Sequence, residues 1–127
     1  MEQILVDTDV IIDFLRGYQK RIKDLFLKIK NKTIIPHLTF LNILELYSGK
    51  DVDQPKKELA LQKLLTFFKV CELTYENAQI AGRLRKKHQL SVTDALMAST
   101  CLDQNLKLFT FNQKHFQKIH GVILYKI

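Results

Sequence analysis

Short apolar runs, each too brief for a helix, alternate along this chain with longer segments whose apolar residues return every three or four positions. This alternation constrains the fold more than any other feature. Parallel strands need a crossover connection, usually a helix, and helices laid over such a sheet bury both of its faces. The pattern predicts an α/β fold of three layers, α/β/α, around a central and mostly parallel sheet.

Ile4-Leu5-Val6 reads as a buried strand, followed by a helix in which Val10, Ile11, Phe14 and Leu15 recur until Gly17. A second helix, Gln19 to Lys30, carries Ile22, Leu25, Phe26 and Ile29 on one face. Thr33-Ile34-Ile35-Pro36 suggests a strand closed by its proline, and Thr39 to Tyr47 an apolar helix stopping at Gly49. After a polar connection from Asp51 to Gln54, Pro55 opens a helix with Leu61, Leu64, Leu65 and Phe68 inward. Val70 to Leu73 is a third strand, Asn77 to His88 a basic helix, and Val92 to Leu102 a helix apolar nearly all round and therefore central. Leu106 to Thr110 makes a strand, Asn112 to Ile119 a short helical turn, and Val122 to Tyr125 a last strand. With 127 residues, no repeat and no linker, residues 1–127 are expected to form one domain.

Twenty Lys and Arg against thirteen Asp and Glu give a net charge of +7, which favours a polyanionic partner. Cys71 and Cys101 lack metal-motif spacing and sit in apolar settings, so they are expected to be buried and reduced. No apolar run reaches membrane-spanning length, and the first acids follow too closely on Met1 for a signal peptide, so a cytoplasmic protein is expected.

Sites in open parallel sheets lie beyond the carboxyl ends of the strands. Asp7 stands at such an end, and Asn112 lies just past the strand that closes on Thr110. Asp94 opens the most apolar helix, where it is either a ligand or a partner of the helix dipole beside a Ser91 or Thr93 cap. Glu45 lies among Phe40, Leu41, Ile43, Leu44, Leu46 and Tyr47, with Asn42 three residues before it on the same face. Such a carboxylate either meets a compensating partner or follows a narrow wet stripe. Asp7 and Asp9 have an alternative as helix starters. Carboxylates that converge in a cleft repel one another unless a divalent cation neutralises them, and oxygen ligands suit Mg2+ or Mn2+. The four histidines, His37, His88, His115 and His120, have no zinc spacing and read as surface or packing residues. No glycine-rich phosphate loop, Gly-x-Ser-x-Gly elbow or matched Cys–His pair offers another chemistry.

Four segments taken together resemble the PIN-domain ribonucleases and, within them, the VapC-type toxins of prokaryotic toxin–antitoxin pairs. They are Leu5-Val6-Asp7-Thr8-Asp9-Val10-Ile11-Ile12-Asp13-Phe14-Leu15, Leu44-Glu45-Leu46-Tyr47-Ser48-Gly49, Thr93-Asp94-Ala95-Leu96-Met97-Ala98 and Leu108-Phe109-Thr110-Phe111-Asn112-Gln113-Lys114-His115-Phe116. The resemblance implies that Asp7, Glu45 and Asp94 are metal ligands and that Thr110 supplies a hydroxyl. The family's fourth acidic position falls on Asn112, which offers a carbonyl oxygen without charge. Asp9 holds a place where the family often has Asn. The resemblance further implies a metal-dependent endoribonuclease acting on structured RNA such as transfer RNA, a homodimer, and a small antitoxin whose tail enters the groove. It suggests that Arg83, Arg85, Lys86 and Lys87, with His88, contact RNA phosphates; the alternative is a solvated helix face.

Two rival readings remain at this level. The Asp7-x-Asp9 opening also resembles haloacid-dehalogenase-type phosphatases, though their later acidic metal motif is missing. A non-catalytic RNA- or antitoxin-binding module would account for Asn112 but not for three intact acids.

Overall fold

A computed structural model covers the whole chain, residues 1–127. The elements run β1 (Glu2–Val6), α1 (Thr8–Arg16), α2 (Lys20–Lys30), β2 (Ile34–Thr39), α3 (Phe40–Ser48), a 3-10 turn (Lys50–Asp53), α4 (Pro55–Leu65), β3 (Lys69–Cys71), α5 (Tyr75–His88), α6 (Val92–Gln104), β4 (Lys107–Phe109) and α7 (Gln113–Gln117). The four strands are ordered β3-β2-β1-β4 and every pairing is parallel. The chain builds outward from β1 through β2 to β3, then returns to place β4 on the other side of β1. That reversal opens a crevice between the ends of β1 and β4.

Side chains alternate across a strand, and here the alternation divides the interior into two cores. Ile4 and Val6 of β1, Leu38 of β2 and Phe109 of β4 join Val10, Ile11, Ile22, Leu25, Phe26 and Leu61 on one face. Leu5 and Leu108, one residue out of step, join Cys71, Met97, Ala98 and Cys101 on the other. The expected three layers follow directly. Phe14 and Phe26 stack with ring centroids 4.0 Å apart, fastening α1 to α2. Gly17 ends α1 at φ 72°, a left-handed conformation that glycine adopts without a steric penalty, and its N–H reaches the carbonyls of Asp13 and Phe14. Helix α6 is the central helix that its composition predicts, with every residue from Ala95 to Cys101 buried. Both cysteines are free and buried, and burial pushes the Cys71 thiol up to about 11.

The structure differs from the sequence reading at three points. Pro36 does not close its strand: β2 continues to Thr39, and Pro36 pairs with Ile4 of β1 before the β3 ladder begins at His37. At Pro36 one side of β2 is still an open edge, the kind of place where a strand tolerates proline. The expected last strand is reduced to a single parallel bridge between Leu108 and Leu124, made by Leu108 N–H to the Ile123 carbonyl at 2.9 Å and Tyr125 N–H to Leu108 at 2.8 Å. The polar connection before Pro55 contains the 3-10 turn, which Arg16 ties to α1 through Asp51 at 3.1 Å. No helix is long and apolar enough to cross a membrane.

Candidate active site at the end of the sheet

Asp7 caps α1 at the carboxyl end of β1, and its two oxygens have separate jobs. Oδ1 accepts from the Thr8 N–H at 2.7 Å, which is the cap. Oδ2 accepts from the Thr110 hydroxyl at 2.7 Å, so the carboxylate spans the crevice between β1 and β4. The Asp7 N–H donates to the Phe109 carbonyl at 2.9 Å and fixes the two chain ends side by side. Residues 103 positions apart thus meet through strand order alone.

The Asp7 carboxyl is pushed up to about 7 by burial above all, then by the nearby charge of Asp9, with a smaller contribution from Asp94; the bonds from Thr110 and Thr8 act the other way. Asp9 is raised as well, by burial first and by Asp94 among its neighbours, against the backbone amides of Val10 and Phe111. The Asp9 Oδ1 atom is buried without a hydrogen-bond partner. Three carboxylates therefore face one small region in mutual repulsion. Asp94 reaches it from the first turn of α6, which Ser91 caps by accepting the Asp94 N–H at 3.1 Å. The dipole-partner and site readings of Asp94 are compatible: the residue occupies the first turn and also faces Asp7.

Glu45 corrects one premise of the sequence reading. Helix α3 is apolar but not enclosed, since Phe40, Leu44 and Tyr47 are 57%, 60% and 38% exposed, and Glu45 itself is exposed. Its carboxylate nevertheless turns inward, accepting from the Thr8 hydroxyl at 2.7 Å. Thr8 Oγ1 in turn accepts from the Asn42 amide at 3.1 Å. Asn42 is fully buried, and it closes a capping box with Thr39 at the start of α3. Asn42, Thr8 and Glu45 form a chain from the sheet to the rim, with Asn42 and Glu45 on one face as their spacing predicts. Thr8 itself was not legible as a site residue, because its partner lies 37 positions away.

Asn112 donates its backbone N–H to the Thr110 hydroxyl at 3.0 Å, while its side-chain amide lies 2.7 Å from His115 Nδ1. His115 Nδ1 also stands 3.4 Å from Asp94 Oδ2. His115, read from the sequence as a surface or packing histidine, is exposed but belongs to this site. The spacing of Asn112 and His115, three apart at a helix start, was the available signal. His37, by contrast, is a packing residue, buried against Gln3 at 2.8 Å. Arg83, Arg85, Lys86 and Lys87 are exposed near the end of α5, without ion-pair partners. Only a short link separates that end from Ser91 and Asp94, so the basic run and the acids share one end of the molecule.

No three His, Cys, Asp or Glu side chains are gathered closely enough to close on one ion. The donor set still suits a hard divalent cation: all oxygens from Asp7, Asp9 and Asp94, one of them buried and unpartnered. A cation would relieve both the burial cost and the repulsion. A cleft of about 540 Å³ lies elsewhere, between Ile12 and Leu15 of α1 and Leu61 of α4.

A three-layer parallel α/β domain with acids at its topological switch point defines a class, and the sequence places the chain within it. Residues 4–122 match the PIN domain model, and the chain belongs to the PIN domain family. No curated protein matches it. Among solved structures, the chain is similar to DNA-bound VapBC from Salmonella typhimurium, with a TM-score of 0.81 and 17% identity over 98% of both chains. VapBC2 from Rickettsia felis bound to a promoter DNA fragment gives 0.78 and 20%, covering 97% of each chain. A toxin–antitoxin complex from Klebsiella pneumoniae gives 0.76 and 24%, covering 98% of this chain and 99% of the other.

Proposed function

We propose that this PIN domain is a divalent-metal-dependent endoribonuclease and the toxin of a toxin–antitoxin pair. The observation that carries the nuclease reading is the Asp7 carboxyl, buried at the switch point and raised to about 7 beside Asp9 and Asp94. An isolated acidic cluster of this kind costs stability unless a cation binds there, so its presence is best explained by use. Asp7 and Asp94 would hold Mg2+ or Mn2+, with Glu45 reaching in from α3. Held there, the ion supplies polarisation of water and of phosphate oxygens. The chain's own groups supply position. Thr110 fixes the Asp7 rotamer, Thr8 and Asn42 hold Glu45, and Ser91 sets the first turn that carries Asp94. Arg83, Arg85, Lys86 and Lys87 would bind RNA phosphates beside the acids, without reading sequence.

The toxin reading is supported by the likeness to the Klebsiella pneumoniae toxin–antitoxin complex over nearly the whole chain. A cognate antitoxin is the expected partner, and the cleft lined by Ile12, Leu15 and Leu61 offers apolar surface for it. The exposed Phe40, Leu44 and Tyr47 support a homodimer, because such a face is costly to leave in water. The cell compartment proposed is the cytoplasm, where RNA is found. The test is purified chain, free of antitoxin, incubated with RNA and Mg2+ or Mn2+. Cleavage should require the ion and vanish in Asp7→Ala and Asp94→Ala; cleavage that survives either substitution overturns the mechanism.

A further inference from the structure

Arg21 stands in the first turn of α2, where no acid accompanies it, and it joins none of the ion pairs. A cation at the positive end of a helix dipole costs stability rather than adding it. The guanidinium is nevertheless held in place. Its Nε donates to the Gln19 side-chain oxygen at 2.8 Å, and the Gln19 amide nitrogen donates to Oδ2 of the buried Asp13 at 3.0 Å. Its Cζ lies 5.7 Å from the centre of the Phe111 ring, within reach of a cation–π attraction. Phe111 is fixed in turn, edge-on to Phe109 with ring centroids 6.2 Å apart. Phe111 follows the Thr110 that binds Asp7, and its backbone amide faces Asp9. The ring beside Arg21 therefore adjoins the acids. Phe111 and Ile22 of α2 pack on one face of the sheet, whereas Ala81 and Leu84 of α5 pack on the other. Arg21 and the basic run of α5 thus flank the acids from opposite faces.

We propose that Arg21 binds an RNA phosphate on the α2 side of the site, so that the strand is held on both sides of the acids. The inference rests on the nuclease reading above. Arg21 is exposed, and with Nε spent on Gln19 its two terminal nitrogens still offer their N–H groups. Paired donors of this kind match the oxygens of a phosphate. The tether to Gln19 and the Phe111 ring restrict the side chain beforehand, so less rotamer freedom is lost when the anion binds. Gln19 and Asp13 are then positioning residues, acting through Arg21. A phosphate contact carries no sequence information; it adds affinity and sets the register of the strand.

The test is fluorescence anisotropy of a short single-stranded RNA with the full chain, in chelator and at several salt concentrations, with cleavage of the same RNA in Mn2+ measured beside it. Arg21→Gln should weaken binding about five- to tenfold at low salt and reduce the slope of log affinity against log salt by roughly 0.7, the share of one phosphate on a single strand. Arg21→Lys should keep the slope and recover only part of the affinity. Lys28→Gln removes the same charge from the last turn of α2 and should leave slope and affinity nearly as they are. Weaker binding of Arg21→Gln at an unaltered slope, or an equal fall of slope in Lys28→Gln, overturns the assignment. Unchanged binding in Arg21→Gln does so too, while cleavage by the wild type keeps the nuclease reading intact. A wild type that cleaves nothing, with the slope still reduced in Arg21→Gln, overturns the nuclease and supports the phosphate contact. A wild type that neither binds nor cleaves RNA overturns both.

Discussion

Asp7→Asn should stabilise the metal-free protein at neutral pH, although it removes the central acid of the site. In the folded chain the Asp7 carboxyl sits at about 7 against an ordinary value of 3.8, so between these pH values the native state holds a proton that the unfolded chain has released. Stability then falls as pH rises through that window, because the unfolded state binds fewer protons than the native one. Below about 3.8 the effect is absent, and above about 7 it is complete. At ~1.4 kcal/mol per pH unit the full loss is roughly 4 kcal/mol. Asn carries no charge, so the variant escapes this loss. Its amide must reverse the Thr110 bond, so a net gain of roughly 2–4 kcal/mol above pH 7.5 is expected. Urea unfolding of both proteins in chelator, from pH 4.5 to 8, measures it. The quantity to read is the stability difference between them, which cancels every titrating group that does not interact with Asp7 and leaves Asp7 with its neighbours Asp9 and Asp94. It should grow with pH and level off near neutrality. A difference that stays constant across the range refutes the argument, since Asp7 would then titrate alike in both states. Saturating divalent cation should reverse the order of stability at pH 7.5, because only the wild type offers it a full charge.

Other expectations follow from single contacts. Thr8→Val leaves the buried Asn42 amide without its 3.1 Å acceptor and frees Glu45; about 1–3 kcal/mol of stability should be lost, together with RNA cleavage well beyond that fraction, checked by unfolding and by a cleavage assay. Gly17→Ala forces a side chain to φ 72° at the end of α1 and should cost about 1 kcal/mol in thermal or urea unfolding with cleavage unchanged. Replacing Arg85, Lys86 and Lys87 together by Gln should weaken RNA binding equally for unrelated sequences and flatten its salt dependence, measured by fluorescence anisotropy at several salt concentrations.

The order of elements, the layered fold and the placement of Asp7 and Thr110 at strand ends were all written in local pattern. Apolar runs and helical periods are short-range properties that neighbouring residues decide. So were the caps: Asp7, Ser91, Pro55 and Gly17 stand where their chemistry requires. What the sequence could not give is adjacency. Nothing local says that β4 returns beside β1, so the Thr110 hydroxyl on Asp7 belongs to strand order. Helix α3 reads as buried because six of its residues are apolar, yet Phe40, Leu44 and Tyr47 face outward, for no second layer covers them. Glu45 turns in only because Thr8 waits at the end of a different element. His115 passed for a surface residue until the fold brought α7 against the start of α6. The sequence by itself determined which acids are present and at which strand ends. Only the tertiary structure decided that Asp7, Asp9 and Asp94 face one another where Asp7 is buried, so that burial and the nearby like charges together raise its carboxyl.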